Sequence, residues 1–179
     1  LERYAYMRAD TLVVNYESVR RIIEKAFGPA AHLRRMTYAS EFAFSQSPMS
    51  APLPDPLRGW GDAGAPLIVS VSRHDPRKGI HILLEALALL LRRGVRFRAC
   101  ILSGGDLLAA HRRMAQRLAL TAHVLLPGYV PDIWPYLLNA DIFALPSLEE
   151  HSGSVALLEA LQAGRASVAS NVDGIPEDV

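Results

Sequence analysis

From Pro66 onward, the chain alternates between short apolar segments with strand character and longer segments whose apolar residues recur at helical spacing. Five predicted strands, at 67–72, 96–103, 123–128, 141–147 and 166–170, alternate with four predicted helices, at 78–93, 106–120, 132–140 and 154–164. The first strand, Leu-Ile-Val-Ser-Val-Ser, is typical of a strand buried on both faces of a parallel sheet. This alternation predicts an α/β fold with a Rossmann-like, doubly wound parallel sheet.

A smaller unit precedes this pattern. Residues 1–45 predict a strand at 11–16, a helix at 17–28 and a weaker strand at 32–39. Residues 46–65 are rich in proline and then in glycine, and no regular element is expected at that density.

The chain is therefore expected to have three parts, which are the end of an N-terminal domain at 1–45, a linker at 46–65 and a ligand-binding domain at 66–179. It does not begin with Met and it ends shortly after Gly-Ile-Pro-Glu. We expect it to be a piece of a longer protein, with its last domain truncated.

The composition argues against several classes of function. The net charge is +1 and 50% of the residues are hydrophobic, so neither a nucleic-acid partner nor a charged membrane surface is indicated. Cys100 is the single cysteine and lies in an apolar run, which predicts a buried thiol and excludes a disulfide within the chain. The six histidines show no spacing typical of a metal site, and we expect no protein-bound metal.

In a doubly wound sheet, ligands bind outside the carboxyl ends of the strands, and the loop after the first strand has an unusual charge pattern. Arg73 and Lys78 stand there with four residues between them, and Lys78 is predicted to open the next helix. Acidic residues are preferred at a helix start, so cations there favour an anion that uses both the side chains and the helix dipole. The alternative is a solvated basic loop.

Two further loops carry glycines that would allow a ligand to approach the backbone. Gly104 lies in the Ser-Gly-Gly-Asp turn after the second strand, which resembles a dinucleotide-binding motif only loosely. A tight turn with Asp106 near the helix N-cap is the alternative. Gly128 follows the third strand, and backbone groups at Tyr129 and Val130 either face a ligand or form a plain turn.

The segment after the fourth strand contains a second candidate anion site. Gly153 and Ser154 lead into the last predicted helix, with Ser152 or Ser154 as its cap, and leave backbone N–H groups available. Glu159 lies among alanines and leucines in that helix. Its carboxylate would either accept hydrogen bonds from vicinal hydroxyls, as in nucleotide-binding folds, or form a salt bridge with Arg165 or Arg73.

In their order and spacing, these segments resemble the nucleotide-sugar-binding domain of the retaining glycosyltransferases of family 4, which have the GT-B fold. The resemblance covers roughly residues 66–179. Its segments are VSRHDPRKGIHILLEAL (71–87), ILSGGD (101–106), VLLPGYV (124–130), ADIFALPSLEE (140–150), LLEALQAGRASVAS (157–170) and DGIPE (173–177). Residues 9–28 are similar to a strand-helix unit near the end of the family's N-terminal domain.

The resemblance implies a role for each candidate residue. Arg73 and Lys78 would grip the diphosphate and support its departure, Glu159 would bind the ribose hydroxyls, and Glu150 would contact the donor sugar. The remaining ligand contacts would be made by Gly104, Gly128, Val130, Gly153, Ser154, Val155 and Ala156, with Val130 against the base and the amides of Val155 and Ala156 at phosphate.

The spacing of the two glutamates departs from the family pattern. The family usually has seven residues between them, whereas eight separate Glu150 from Glu159, and His151 stands at the seven-residue spacing. The usual aromatic-glycine pair is also replaced by Ser152-Gly153. Either the loop bulges by one residue and Glu150 reaches the sugar, or His151 takes that place.

The resemblance implies transfer of a sugar from a nucleotide-diphosphate-sugar donor to an acceptor hydroxyl with retention, without a metal or another cofactor. The acceptor would be a sugar or lipid-linked glycan in cell-envelope or polysaccharide biosynthesis. We expect a cytoplasmic enzyme, with membrane contact left open for its N-terminal domain, and no turnover by this piece alone. A sugar-nucleotide epimerase of similar fold and a non-catalytic nucleotide-binding module are the alternatives.

Overall fold

A small strand-helix-strand unit is formed by residues near the amino end. It consists of β1 (Leu12–Val14), α1 (Glu17–Phe27) and β2 (Leu33–Arg35). The two strands pair in parallel, with Leu12 opposite Leu33. The computed structural model describes residues 4, 6, 8–29, 32–36, 50–60, 64–150 and 153–179.

The second unit contains the alternating elements that the sequence predicts. They are β3 (Leu67–Val71), α2 (Ile80–Arg92), β4 (Arg98–Leu102), α3 (Leu108–Arg117), β5 (Val124–Gly128), α4 (Trp134–Asn139), β6 (Ile142–Leu145), α5 (Val155–Gln162) and β7 (Ala166–Ala169). Three-residue 3₁₀ turns occur at Asp55–Leu57, Pro76–Lys78 and Ile175–Glu177. Most predicted elements are slightly shorter than their apolar patterns, because capping residues and turns take up the ends.

The five strands of the second unit form one parallel sheet in the order β5-β4-β3-β6-β7. In the register, Val69 of β3 lies opposite Cys100 of β4 and Phe143 of β6. The chain winds outward from β3 in one direction and then from β6 in the other. The predicted doubly wound α/β sheet is thus confirmed, and its strand order reverses between β3 and β6, where such folds have their ligand crevice.

Both faces of the sheet are buried at its central strands, which explains their apolar character, whereas Val168 on the edge strand β7 is exposed. On one face, Val69 and Phe143 pack in a cluster with residues of α4 and α5. On the other, Ala99 and Ile101 pack against α2 and α3. Cys100 is fully buried in the first cluster, and burial raises the pKa of its thiol to about 12, so the predicted core thiol is confirmed.

The proline-rich segment between the two units is more ordered than its composition predicts. The expectation of no regular element is wrong at Asp55–Leu57, which form a 3₁₀ turn with proline in its first positions, where a missing N–H costs nothing. Leu57 is fully buried in the core beside α4, and the Asn139 side-chain amide donates to the Ala51 carbonyl at 3.1 Å. None of the helices in the described ranges combines the length and apolar composition needed to cross a membrane.

Candidate functional site

The loops that follow β3 and β6 are held together at the point where the strand order reverses. The Arg77 carbonyl accepts hydrogen bonds from the backbone N–H groups of Leu148 at 2.7 Å and Glu149 at 3.3 Å. Gly79 makes this approach sterically feasible, because its φ is +62° and a Cβ there would overlap the Pro146 carbonyl. The residues predicted to grip an anion therefore lie beside the segment that contains Glu150.

Lys78 and Glu150 form a largely buried ion pair. Lys78 Nζ lies 2.6 Å from Glu150 Oε2, and the two side chains are 19% and 6% exposed. Ser147 Oγ donates to the other carboxylate oxygen at 2.5 Å, and the Glu150 backbone N–H donates to Asp173 Oδ2 at 2.6 Å. Glu150 is thus fixed in the site by contacts from three loops.

The longer spacing between the two glutamates therefore leaves Glu150 in the crevice. Its side chain points to Lys78, on the loop after β3. His151, the alternative contact for a donor sugar, and Ser152 lie outside the described residues.

The prediction that Lys78 opens a helix is wrong. Helix α2 begins at Ile80, and Lys78 is the last residue of the 3₁₀ turn that begins at Pro76. Asp75 caps this turn by accepting from the Arg77 N–H at 2.9 Å, and the left-handed conformation of Gly79 separates the turn from the helix. The position of the Lys78 ammonium therefore follows from the turn geometry rather than from the helix start.

Arg73 is exposed at the same edge of the sheet. In the part of the chain that the structure describes, its guanidinium takes part in no hydrogen bond or ion pair. An uncommitted guanidinium is suited to bidentate contacts with phosphate oxygens. Arg73 is therefore the cation of this loop that needs no rearrangement to bind an anion.

Glu159 is a buried carboxylate on α5. The residue is only 8% exposed, and burial raises its pKa. Among the described residues, no side chain pairs with it, and the Arg165 guanidinium donates instead to the carbonyls of Ala163 at 2.7 Å and Ala140 at 2.9 Å. The structure shows neither of the salt bridges considered as alternatives, and a buried unpaired carboxylate is costly unless a ligand satisfies it.

The start of α5 lies where the sequence predicts it. Ser154 occupies the N-cap position, but its side chain makes no capping hydrogen bond. Val155 and Ala156 form the first turn of the helix that contains Glu159. The backbone of residues 153–156 lies at the end of the loop that follows β6 and at the start of α5. Contacts with phosphate stay a prediction for Gly153, Ser154, Val155 and Ala156.

Backbone hydrogen bonds connect the loops after β3, β4 and β5. The His74 N–H donates to the Gly104 carbonyl and the Ser103 N–H donates to the Gly128 carbonyl, each at 2.9 Å. The loop after β3 packs closely on Gly105, where an added Cβ would lie 2.6 Å from the His74 carbonyl oxygen. The approach of a ligand to the Gly104 backbone stays a prediction.

The residues that follow β5 differ in exposure. Val130 packs against the core, whereas Tyr129 is 78% exposed. Asp106 lies directly before Leu107, the N-cap of α3, so the predicted position of Asp106 near the helix N-cap is confirmed.

A buried histidine pair supports this edge of the sheet. His74 Nδ1 lies 2.8 Å from His111 Nδ1, and His74 is fully buried. Burial, together with the nearby His111 and Arg112, lowers the pKa of His74 to about 4. The sequence does not predict this pair, because the two histidines are 37 positions apart and no local pattern connects them.

Comparisons with known proteins agree with this architecture. The sequence model of the family described as "Glycosyl transferases group 1" matches residues 61–179. The putative colanic acid biosynthesis glycosyltransferase WcaL of Escherichia coli K12 is 35% identical over 141 residues, which cover 75% of this chain and 32% of that protein. The GDP-mannose-dependent alpha-(1-6)-phosphatidylinositol monomannoside mannosyltransferase of Mycolicibacterium smegmatis is 31% identical, over 96% of this chain and 47% of that protein.

Solved structures show the same fold. Anabaena Alr3699/HepE in complex with UDP and glucose matches with a TM-score of 0.80 at 22% identity, over 97% of this chain and 47% of that one. A glycosyltransferase from Rickettsia africae matches with a TM-score of 0.80 at 18% identity, over 98% of this chain and 49% of that one. The chain thus has the Rossmann-like fold of GT-B glycosyltransferases and spans about a third to a half of the length of these relatives. Because the family match covers more than half of the sequence, the chain belongs to the glycosyl transferases group 1 family.

Proposed function

We propose that this chain contributes the donor-binding half of a glycosyltransferase that moves a sugar from a nucleotide-diphosphate-sugar donor to an acceptor hydroxyl with retention. The observation that carries the proposal is the buried Glu159 carboxylate, which has no partner among the described residues. It lies on α5, the helix that follows β6 and the loop containing Glu150. The chain spans only part of its relatives, and we propose that turnover also uses residues that it does not contain.

The donor class is supported by the chemistry of the crevice. Vicinal ribose hydroxyls are suited to Glu159, because two O–H donors can satisfy one carboxylate. Arg73 and Lys78 supply positive charge for a diphosphate. The Mycolicibacterium smegmatis relative is named as GDP-mannose-dependent and the Anabaena structure contains UDP and glucose, which agrees with a nucleoside-diphosphate sugar.

Donor binding requires Lys78 to exchange its partner. The ammonium is paired with Glu150 and would turn to the phosphate oxygens when the donor arrives. Glu150 would then be available to accept a hydrogen bond from a hydroxyl of the donor sugar. The backbone of Gly104, Gly128 and Val130 would lie near the base, and that of Gly153 to Ala156 near phosphate.

Catalysis in this half would be electrostatic. Negative charge develops on the departing diphosphate, and Arg73, Lys78 and the positive end of α5 would stabilise it in a crevice with little water. These groups supply the charge that a divalent cation would otherwise provide, so we propose a reaction that needs no metal or other cofactor. The acceptor would be a sugar or lipid-linked glycan of the cell envelope, bound by the N-terminal domain in the cytoplasm, where that domain would also make any membrane contact.

Calorimetric titration of the chain with UDP, GDP and ADP tests the proposal. We expect saturable binding of one diphosphate, weakened at least about tenfold, or 1.4 kcal/mol, by Arg73→Ala and by Glu159→Gln. Arg58→Ala and Glu85→Gln are matched controls, because both residues lie outside the crevice, and they should bind as the unmodified chain does. Equal binding by all four variants would refute the proposed site.

A further inference from the structure

We infer that Tyr16 is a positioning residue for the donor diphosphate, because it holds the Gly153-Ser154 segment at the start of α5 in place from the N-terminal unit. The inference rests on the proposed function, in which that segment meets phosphate. It assigns a part in donor binding to a residue that lies between β1 and α1.

Tyr16 is buried against the far end of the chain. The residue is 3% exposed, and its hydroxyl donates to Asp178 Oδ1 at 2.8 Å across a separation of 162 residues. Burial raises the pKa of Asp178, although the Tyr16 hydroxyl and the Ser154 N–H attract its charged form. Asp178 thus contacts Tyr16 and lies beside Gly153, where an added Cβ would be 2.5 Å from Asp178 Oδ2.

Two glycines enclose the Tyr16 ring. A Cβ on Gly153 would overlap the Tyr16 hydroxyl group, and a Cβ on Gly174 would lie 2.6 Å from the ring carbons Cγ and Cδ1. The ring therefore occupies the space that a side chain at either position would need. Any displacement of Tyr16 opens a gap directly beside Gly153, and any displacement of Gly153 toward the ring is blocked.

The N-terminal unit is anchored at a second point, which keeps Tyr16 in place. The Glu177 carboxylate accepts hydrogen bonds from the N–H groups of Glu17 and Ser18, each at 2.8 Å, and lies 3.3 Å from the Arg35 guanidinium. These contacts fix the start of α1 and the end of β2 to the turn at Ile175–Glu177. A movement of the unit would therefore carry Tyr16 away from Gly153.

The effect of Tyr16 should be confined to phosphate binding. Glu159 is held independently, because its neighbours Leu157 and Ala160 on α5 are fully buried in the core. Loss of the ring would loosen the first backbone N–H groups of α5 but leave the carboxylate proposed for the ribose where it is. A merely structural role of Tyr16 would instead weaken every ligand alike.

The experiment compares the calorimetric affinities of the chain for the nucleoside diphosphate that it binds best and for the matching nucleoside. We expect Tyr16→Ala to lower the affinity for the diphosphate at least about tenfold and the affinity for the nucleoside less than twofold. Tyr16→Phe keeps the ring between the glycines and should weaken the diphosphate less than about threefold. Tyr4→Ala removes an exposed tyrosine of the same unit and should change neither affinity.

A double-mutant cycle keeps the inference testable if Tyr16→Ala unfolds the chain. Gly153→Ala should weaken diphosphate binding through overlap with the Tyr16 ring carbon Cζ and hydroxyl, and Tyr16→Leu in the same chain, which removes both groups, should restore at least threefold of that loss. Strictly additive effects would overturn the inference, as would a folded Tyr16→Ala chain that binds the diphosphate normally. Failure of the unmodified chain to bind any diphosphate would instead refute the proposed function, and the inference with it.

Discussion

Lys78 Nζ lies 2.6 Å from Glu150 Oε2, so the lysine proposed for the donor diphosphate is paired with the carboxylate proposed for the donor sugar. Their loops follow different strands and meet at the reversal of the strand order. Because both groups are largely buried, each neutralises a charge that would be costly alone. A bound donor would have to take the place of Glu150 beside Lys78 and the place of Lys78 beside Glu150. Recognition of the phosphate would therefore be coupled to recognition of the sugar.

Removal of one member of this pair should destabilise the fold. We expect Lys78→Ala to lower the free energy of unfolding by about 3 kcal/mol, because it leaves the Glu150 carboxylate buried and unpaired. Adding Glu150→Gln should recover most of this loss. Urea denaturation at pH 7 measures both, with Glu85→Gln as an exposed control. A double variant no more stable than Lys78→Ala would show that Lys78 stabilises the fold by other contacts.

Glu159→Gln should stabilise the fold while it weakens ligand binding. Burial raises the Glu159 pKa in the folded state above its ordinary value of 4.5, so the unfolded chain loses its proton first as pH rises. The loss of folding stability caused by the buried Glu159 charge is therefore absent below the ordinary pKa. It grows as pH rises toward the raised pKa and is complete above that pKa. Thermal unfolding should give Glu159→Gln the higher midpoint at pH 7 and a similar midpoint at pH 3.5. A lower midpoint at pH 7 would indicate an internal partner of Glu159.

The histidine pair should make stability depend on mildly acidic pH. His74 has a pKa of about 4 in the fold against 6.5 ordinarily, with His111 and Arg112 facing it and His81 near His111. Between these values the unfolded chain binds a proton that the folded chain excludes, so stability falls as pH decreases from 6.5 toward 4.

Urea denaturation at several pH values tests this dependence. His74→Asn should flatten it, whereas His123→Asn, at the opposite end of the sheet, should leave it unchanged. An equally steep dependence in His74→Asn would assign the effect to other groups.

Glu177→Ala should release the start of α1. The carboxylate accepts from the first two helical N–H groups, and loss of such a cap costs about 1 kcal/mol. Hydrogen exchange of the Glu17 and Ser18 amides should accelerate by about fivefold, which corresponds to that free energy. Glu24→Ala, which removes a surface pair with Arg20, should not accelerate them. Unchanged exchange in Glu177→Ala would mean that another group satisfies these amides.

The order of strands and helices could be predicted because it rests on local apolar periodicity. The segment from Leu67 to Ala169 shows this pattern without interruption, and capping and turn residues decide only the ends of its elements. Lys78 was misplaced because Pro76 and Gly79 favour a separate 3₁₀ turn, which the helical pattern hides. The sequence could not decide whether Arg165 pairs with Glu159. The Arg165 guanidinium donates to backbone carbonyls instead, and no local pattern indicates those contacts.

Contacts between distant segments could not be predicted from local sequence patterns. The pairing of His74 with His111 depends on how the loop after β3 packs on α3. The contact between Tyr16 and Asp178 spans nearly the whole chain, and tyrosine at that position has no chemistry that would mark it as part of a site. Such residues become visible only when the loops are placed in three dimensions.

The capping of α1 by Glu177 has a consequence for folding during synthesis. The N–H groups of Glu17 and Ser18 cannot form their hydrogen bonds until the Glu177 carboxylate, about 160 residues further along the chain, has been synthesised. At ordinary ribosomal rates, this is a delay of roughly 10 to 30 s, during which α1 can form only as a fraying, locally stabilised helix. The N-terminal unit therefore docks late and depends on high contact order, whereas the sheet around β3 assembles from neighbouring segments.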